Sequence, residues 1–169
     1  MIQRMGAKEM GLIVKWAYRF VSTPHGRTIP NTLFLDVGNA LLPGALDQHH
    51  DSSLGDSTSD LVEKYPHFVY DHLMSEWEHQ YVFQSSFQDK EWSPVIIVHP
   101  RPDFDDIVAI YLVHHIIEKG CLPKYVTWLV DYASEVDQGR RLFDTDLFEP
   151  HLVYLQLQQI LANRKTERE

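Results

Sequence analysis

The stretch Val95-Ile-Ile-Val-His99-Pro-Arg-Pro-Asp103-Phe-Asp105-Asp106-Ile-Val-Ala109 decides the reading of the fold. A short β-branched run comes first, then an imidazole and three carboxylates, then an apolar pattern of helical period. A strand that ends in ligand-type side chains and passes straight into a helix is a common way for an α/β protein to build a metal or phosphate site.

Upstream, Thr32-Leu-Phe-Leu-Asp36-Val-Gly38 reads as a second buried strand, ending on a carboxylate and a glycine. After Pro43-Gly44, the short apolar lead Ala45-Leu46 runs into the polar cluster Asp47-Gln48-His49-His50-Asp51. Ser52 to Ser59 reads as a loop that caps a helix from Ser59 to about Gln84, with Pro66 as a break or kink. Gln84 to Pro94 reads as a linker loop. Downstream, a helix from Asp105 to Lys119 is expected to stop at Gly120 as a C-cap. Tyr125-Val-Thr-Trp-Leu-Val130 is rich in β-formers and is expected to be a strand ending on Asp131. Residues 1 to 20 suit an amphipathic opening helix, and Leu152, Leu155, Leu157, Ile160 and Leu161 suit a closing one, with a frayed tail after about 163. The expected architecture is α/β: three layers, a mostly parallel sheet with helices on both faces, in one domain spanning 1–169.

Composition narrows the function classes. With 44% hydrophobic and 23% charged residues the chain is globular rather than disordered. A formal charge of -9 excludes a surface that is one continuous nucleic-acid platform, because such affinity rests on many Lys and Arg at phosphates. A local basic pocket, or a metal that supplies the positive charge, stays open. The lone Cys121 forms no internal disulfide, and Gly11-Leu-Ile-Val14 is broken by Lys15 and Arg19, so neither an oxidised scaffold nor a signal peptide is expected. No apolar run approaches the roughly 20 residues of a membrane span, and the expected location is cytoplasmic. Ten histidines and twenty-four carboxylates against one thiol point to a nitrogen and oxygen metal site.

Four expected strands end on acidic or imidazole residues. These are Asp36; Asp47 with His49 and His50; His99 with Asp103 and Asp105; and Asp131. In a parallel sheet the carboxyl ends share one edge, so residues distant in sequence converge there. Carboxylates crowded in this way repel one another unless cations lie between them. Two divalent ions roughly 3.5 to 4 Å apart relieve the repulsion and activate a water for in-line attack at phosphorus. The donor set fits Mn2+ or Mg2+ better than structural zinc.

His99-x-x-x-Asp103-x-Asp105, between a β-rich run and an Ala-containing helix, resembles the first motif of the DHH phosphoesterase superfamily. Leu46-Asp47-Gln48-His49-His50 resembles its Asp-His-His motif, interrupted by Gln48, and Leu33-Phe-Leu-Asp36 resembles the strand-end Asp motif before it. Asp131, or alternatively Asp137, resembles the fourth motif. The segments Asp36-Val-Gly38 to His49-His50 and Asp131 to Gly139 are also similar to the melanocyte-proliferating-gene exonuclease family. The first motif stands third here, so the resemblance implies a circularly permuted order.

The resemblance implies His99 and Asp103 on one ion and Asp105 on the other, Asp36 bridging, His49 and Asp131 completing the second ion's shell, and His50 facing the substrate phosphate. Arg101, Arg140 and Arg141 are candidate phosphate contacts on charge alone. The implied partner is a phosphate-ester or nucleotide substrate, and a homo-oligomer or a partner domain would complete the site.

Plainer readings stand beside these. One of the carboxylates Asp103 and Asp105 can cap the helix, and Asp36, Asp47 and Asp131 can be turn residues. His114-His115 reads as a packing pair, Cys121 lacks a nearby base, and Trp77, Tyr81 and Trp92 read as core or interface. The expected function is a two-metal phosphoesterase; the alternative is a non-catalytic DHH-like ligand-binding or protein-interaction module.

Overall fold

The computed structural model describes residues 6–8, 10, 12–22, 28–50, 56–81, 91–124 and 126–141, with backbone only for His50 and 75–81. The elements in chain order are strands β1 (Ile13–Val14), β2 (Ala17–Phe20), β3 (Thr32–Leu35), β4 (Leu41–Leu42) and β5 (Ala45–Leu46), a 3-10 turn (Gln48–His50), helices α1 (Thr58–Lys64) and α2 (Pro66–Tyr81), strands β6 (Glu91–Trp92) and β7 (Val95–Val98), and helices α3 (Phe104–Lys119) and α4 (Thr127–Asp137). The main sheet has the order β2-β7-β3-β5-β4, all parallel except β4, and β1 pairs with β6 in a separate parallel ribbon. The fold is α/β, with a mostly parallel sheet.

The side-chain period of two divides the sheet between two cores. Leu33, Leu35, Leu46, Ile96 and Val98 share one cluster with apolar residues of all four described helices. Phe34, Ala45 and Ile97 alternate to the opposite face and cluster with Val37. The described helices therefore cover one face. The closing helix expected over Leu152 to Leu161, and the tail beyond it, lie outside the described residues.

The transition from β7 to α3 follows local chemistry. His99 and Arg101 each precede a proline, which disfavours helical backbone at both, so the chain bends at Pro100 and Arg101 and the helix begins only after Asp103. Asp103 then caps α3: its side chain accepts from the Asp106 amide at 3.0 Å, and the Asp106 carboxylate accepts from the Asp103 amide at 3.3 Å. Gly120 ends the helix with φ 72, as expected of a left-handed cap. Nearly every side chain from Phe104 to Val113 is buried, which marks α3 as the central helix.

Three expectations are corrected. Within the opening segment Ile13–Val14 and Ala17–Phe20 form β1 and β2 where a helix was expected, because Ala17 to Phe20 pairs in parallel with Val95 to Val98; residues 1–5, 9 and 11 lie outside the described residues. Of the strand expected over Tyr125 to Val130, Thr127 to Val130 are instead the start of α4, whose Leu129, Val130 and Ala133 pack into the helical core; Tyr125 lies outside the described residues. Asp131 is thus a mid-helix residue and no strand end. Within the expected loop Gln84 to Pro94, Glu91 and Trp92 form β6; positions 82–90 lie outside the described residues. Pro66 does break the long helix, separating α1 from α2.

The turn between β4 and β5 depends on Gly44. It has φ 90, and a Cβ there would lie 2.7 Å from the His72 ring, which itself bonds the Thr32 carbonyl at 2.9 Å. Gly44→Ala combines left-handed strain with a clash and is expected to cost about 2 kcal/mol or more. Chemical denaturation checks this, and a loss under about 0.5 kcal/mol would show that His72 moves aside without penalty.

Candidate metal centre

Strand register brings the ligand-type residues together. Leu35 pairs with Leu46 and Phe34 with Ile97, so the next steps along β3, β5 and β7 place Asp36, Asp47 and His99 side by side at the carboxyl edge. One ligand atom each from Asp36, Asp47 and His49 lies within 4.8 Å of the others, a cluster that can hold a metal ion.

Asp36 is the centre of this group. Its carboxylate lies 3.1 Å from His49 Nδ1 and 3.3 Å from His99 Nε2, and His99 Nε2 also donates to the Asp36 carbonyl at 3.0 Å. Its backbone sits at φ 60, a left-handed conformation that is costly for a residue with a Cβ and tends to persist where function requires it.

Asp47 is fixed by the segment that follows β3. The Asn39 amide donates to Oδ2 at 2.6 Å and the His49 amide to Oδ1 at 2.8 Å, while His49 Nδ1 lies 3.0 Å from Oδ1. The inserted Gln48 accepts from Thr58 Oγ1 at 2.5 Å, and that hydroxyl lies 3.4 Å from Asp36 Oδ1, so Gln48 is linked to the same carboxylate through Thr58. Asp36 is 12% and His49 63% exposed at the side chain, which gives the cluster a buried floor and an open rim.

The electrostatics are those of crowded carboxylates. Burial pushes Asp36 up to about 6, an effect partly offset by His49 and His99 and reinforced by Asp47 and Asp103. Burial pushes Asp106 up to about 9, reinforced by Asp103, Asp36 and Asp105. Burial alone would lower His49, but Asp36 and Asp47 more than offset this and its pKa rises. Asp137, at the end of α4, is raised by burial and then by Asp103. Asp106 Oδ1 is buried and has no hydrogen-bond partner among the described residues. An orphaned carboxylate oxygen beside mutually repelling acids is what a divalent cation satisfies, so the donor set fits the group.

Of the expected site residues, His49 and His99 both lie beside the Asp36 carboxylate, and Asp103 lies close enough to raise Asp36 and Asp137. Asp105 is engaged by the start of α1 instead. It is buried and accepts from Ser57 Oγ at 2.8 Å, the Ser59 amide at 3.2 Å, and Ser59 Oγ. Asp131 is exposed on α4; Asp137, six residues later, is the acid of that helix that senses His49 and Asp103. Arg101 and Arg140 are exposed, whereas Arg141 pairs with Glu135 at 3.3 Å and stacks over Tyr132. The His50 side chain lies outside the described residues.

Asp47 was visible as a motif residue but received no ligand role of its own. The signal for it was its register opposite Asp36. Asp106 was not singled out.

The Asp105 contacts join α1 to α3. Ser57 also caps α1 in a reciprocal pair with Asp60, whose carboxylate accepts from Ser134 Oγ of α4 at 2.7 Å. Ser59→Ala removes one donor from a fully buried carboxyl and is expected to cost about 1–3 kcal/mol. A melting midpoint equal to wild type would show that the Ser59 amide and Ser57 suffice.

No described helix is long and apolar enough to cross a membrane. No protein-family model, curated protein or solved structure matches the chain, so what it does is read from this cluster.

Proposed function

We propose that the chain is a divalent-metal-dependent phosphoesterase of DHH type, acting on a phosphodiester or a small phosphorylated substrate with two Mn2+ or Mg2+ ions. The observation that carries this reading is the convergence of Asp36, Asp47 and His49, with ligand atoms within 4.8 Å of one another, at the carboxyl edge of parallel strands. The three residues, joined by His99 and Asp103, would hold the ions. Bound there, the ions would supply charge stabilisation and an activated water for displacement at phosphorus.

The side chains have separable tasks. Asp36 lies between two imidazoles and would be the central donor to the ions. Asp47, held by two main-chain amides, fixes His49 at the open rim. Arg101, exposed and two residues beyond His99, would meet an anionic substrate arriving at the edge. Because strand register rather than chain order sets these neighbours, the permuted motif order is compatible with one site.

The test is turnover with Mn2+ on bis-p-nitrophenyl phosphate, short oligonucleotides and cyclic dinucleotides. Hydrolysis is expected, with a loss of roughly 100-fold or more in His99→Ala and in Asp103→Ala. Activity unchanged in both variants would overturn the assignment. Tight Mn2+ binding with no turnover on the whole panel would favour the non-catalytic module.

A further inference from the structure

Asp105 and Asp106 are neighbours in sequence with opposite environments. Asp105 has both oxygens engaged: Oδ1 accepts from Ser57 Oγ at 2.8 Å and from Ser59, and Oδ2 lies 3.3 Å from the Ser59 amide. Three donors on Oδ1, with the Ser59 amide shared to Oδ2, fasten this carboxyl to the start of α1. Asp106 is equally buried at 2% exposure, but only Oδ2 is used, accepting from the Asp103 amide at 3.3 Å. Its Oδ1 has no hydrogen-bond partner among the described residues.

The two groups also differ in what surrounds them. Asp103 acts on both carboxyls, but Asp106 also feels Asp36 of the cluster, whereas Asp105 is bound by the hydroxyls of Ser57 and Ser59 at the start of α1. The capping box holds Asp103 and Asp106 at the same end of α3, and each keeps a second oxygen outside that reciprocal pair. Thr58, between the two serines that grip Asp105, donates to Gln48 Oε1 at 2.5 Å and lies 3.4 Å from Asp36 Oδ1. The serine grip thereby sets where α1 meets the cluster.

We propose that Asp106 is a cation-facing carboxylate of this site and that Asp105, to which the motif resemblance gives a ligand role, is a positioning residue that fastens α1 to α3. The proposal deepens the phosphoesterase reading and rests on its cation site. Asp106→Asn keeps an oxygen to accept from the Asp103 amide but removes the carboxyl that would ionise against a cation. Asp105→Asn keeps one acceptor for the serines and removes the other.

Isothermal titration of metal-free protein with Mn2+, alongside melting of the same samples without metal, separates the roles. Asp106→Asn is expected to bind Mn2+ at least about 10-fold more weakly while melting no lower than wild type. Asp106→Ser, made in parallel, gives the same reading from a smaller side chain. Asp105→Asn is expected to bind Mn2+ within about 3-fold of wild type while melting lower without it. Wild-type affinity in both Asp106 variants, or Asp105→Asn losing Mn2+ binding at an unchanged melting midpoint, would overturn the ligand assignment and leave the phosphoesterase reading intact. No Mn2+ binding by the wild type would overturn both.

Discussion

Asp36→Asn is expected to weaken Mn2+ binding by roughly 100-fold or more while raising the melting midpoint of the metal-free protein. Both effects come from the same carboxylate. Asp36 is the residue that His49 and His99 share, at 3.1 and 3.3 Å, so removing its charge removes the central donor. Without metal, that charge is unfavourable: burial pushes its pKa up to about 6, so at neutral pH the folded state holds an ionised group that it would rather protonate. Asparagine removes this cost and tolerates the backbone at φ 60. Asp36→Ala removes the charge too but places an ordinary residue in a left-handed conformation, which costs about 1–2 kcal/mol. The asparagine variant should therefore melt above the alanine variant while both lose the metal. Titration calorimetry and thermal melting check the pair, and an alanine variant that melts as high as the asparagine one would contradict the strain at Asp36.

The metal-free protein is expected to be more stable at pH 5.5 than at pH 8.5, by roughly 5 °C or more in melting midpoint. Asp36, Asp105 and Asp106 are raised to about 6, 7 and 9, against about 3.9 for an aspartate in an unfolded chain. Between those values the folded state binds more protons than the unfolded one, so stability falls as pH rises through each folded pKa. Asp137 and His49 are also raised and act in the same direction, the imidazolium losing its favourable carboxylate neighbours as it deprotonates. Mn2+ should oppose the trend, because it binds the ionised carboxylates and neutral imidazoles that dominate at high pH. Melting curves across the range, with and without Mn2+, test this. A midpoint that rises with pH in the absence of metal would contradict the burial of these acids.

The readable parts of the fold are those that local chemistry controls. The β-branched run Val95 to Val98, the Asp103 and Asp106 capping pair and the Gly120 stop together specify β7 and α3 without outside help. Convergence of Asp36, Asp47 and His99 followed from one premise, that parallel strands share a carboxyl edge. The misread segments are those whose patterns suit two periods. Ile13, Ala17 and Phe20 fit a helical spacing, yet Tyr18 and Phe20 also alternate with exposed Arg19, and pairing with β7 about eighty positions away decides between them. Val126, Leu129, Val130 and Ala133 fit the 3.6-residue period, but aromatic and β-branched neighbours imitate a strand if the pattern is cut at Asp131.

That one misreading moved a site residue. Treating Asp131 as a strand end put it at the sheet edge, whereas the helix exposes Asp131 and brings Asp137 toward His49. The contrast between Asp105 and Asp106 was not legible at all. Which of two adjacent carboxylates is satisfied depends on Ser57 and Ser59, more than forty positions away.

The convergence of Asp36, Asp47 and His49 on one cation is tested most directly by anomalous diffraction at the manganese edge from crystals grown with Mn2+. The expected result is a peak within bonding distance of all three side chains, at the carboxyl ends of β3 and β5. A crystal at full Mn2+ occupancy elsewhere, or with none at this edge, would contradict it.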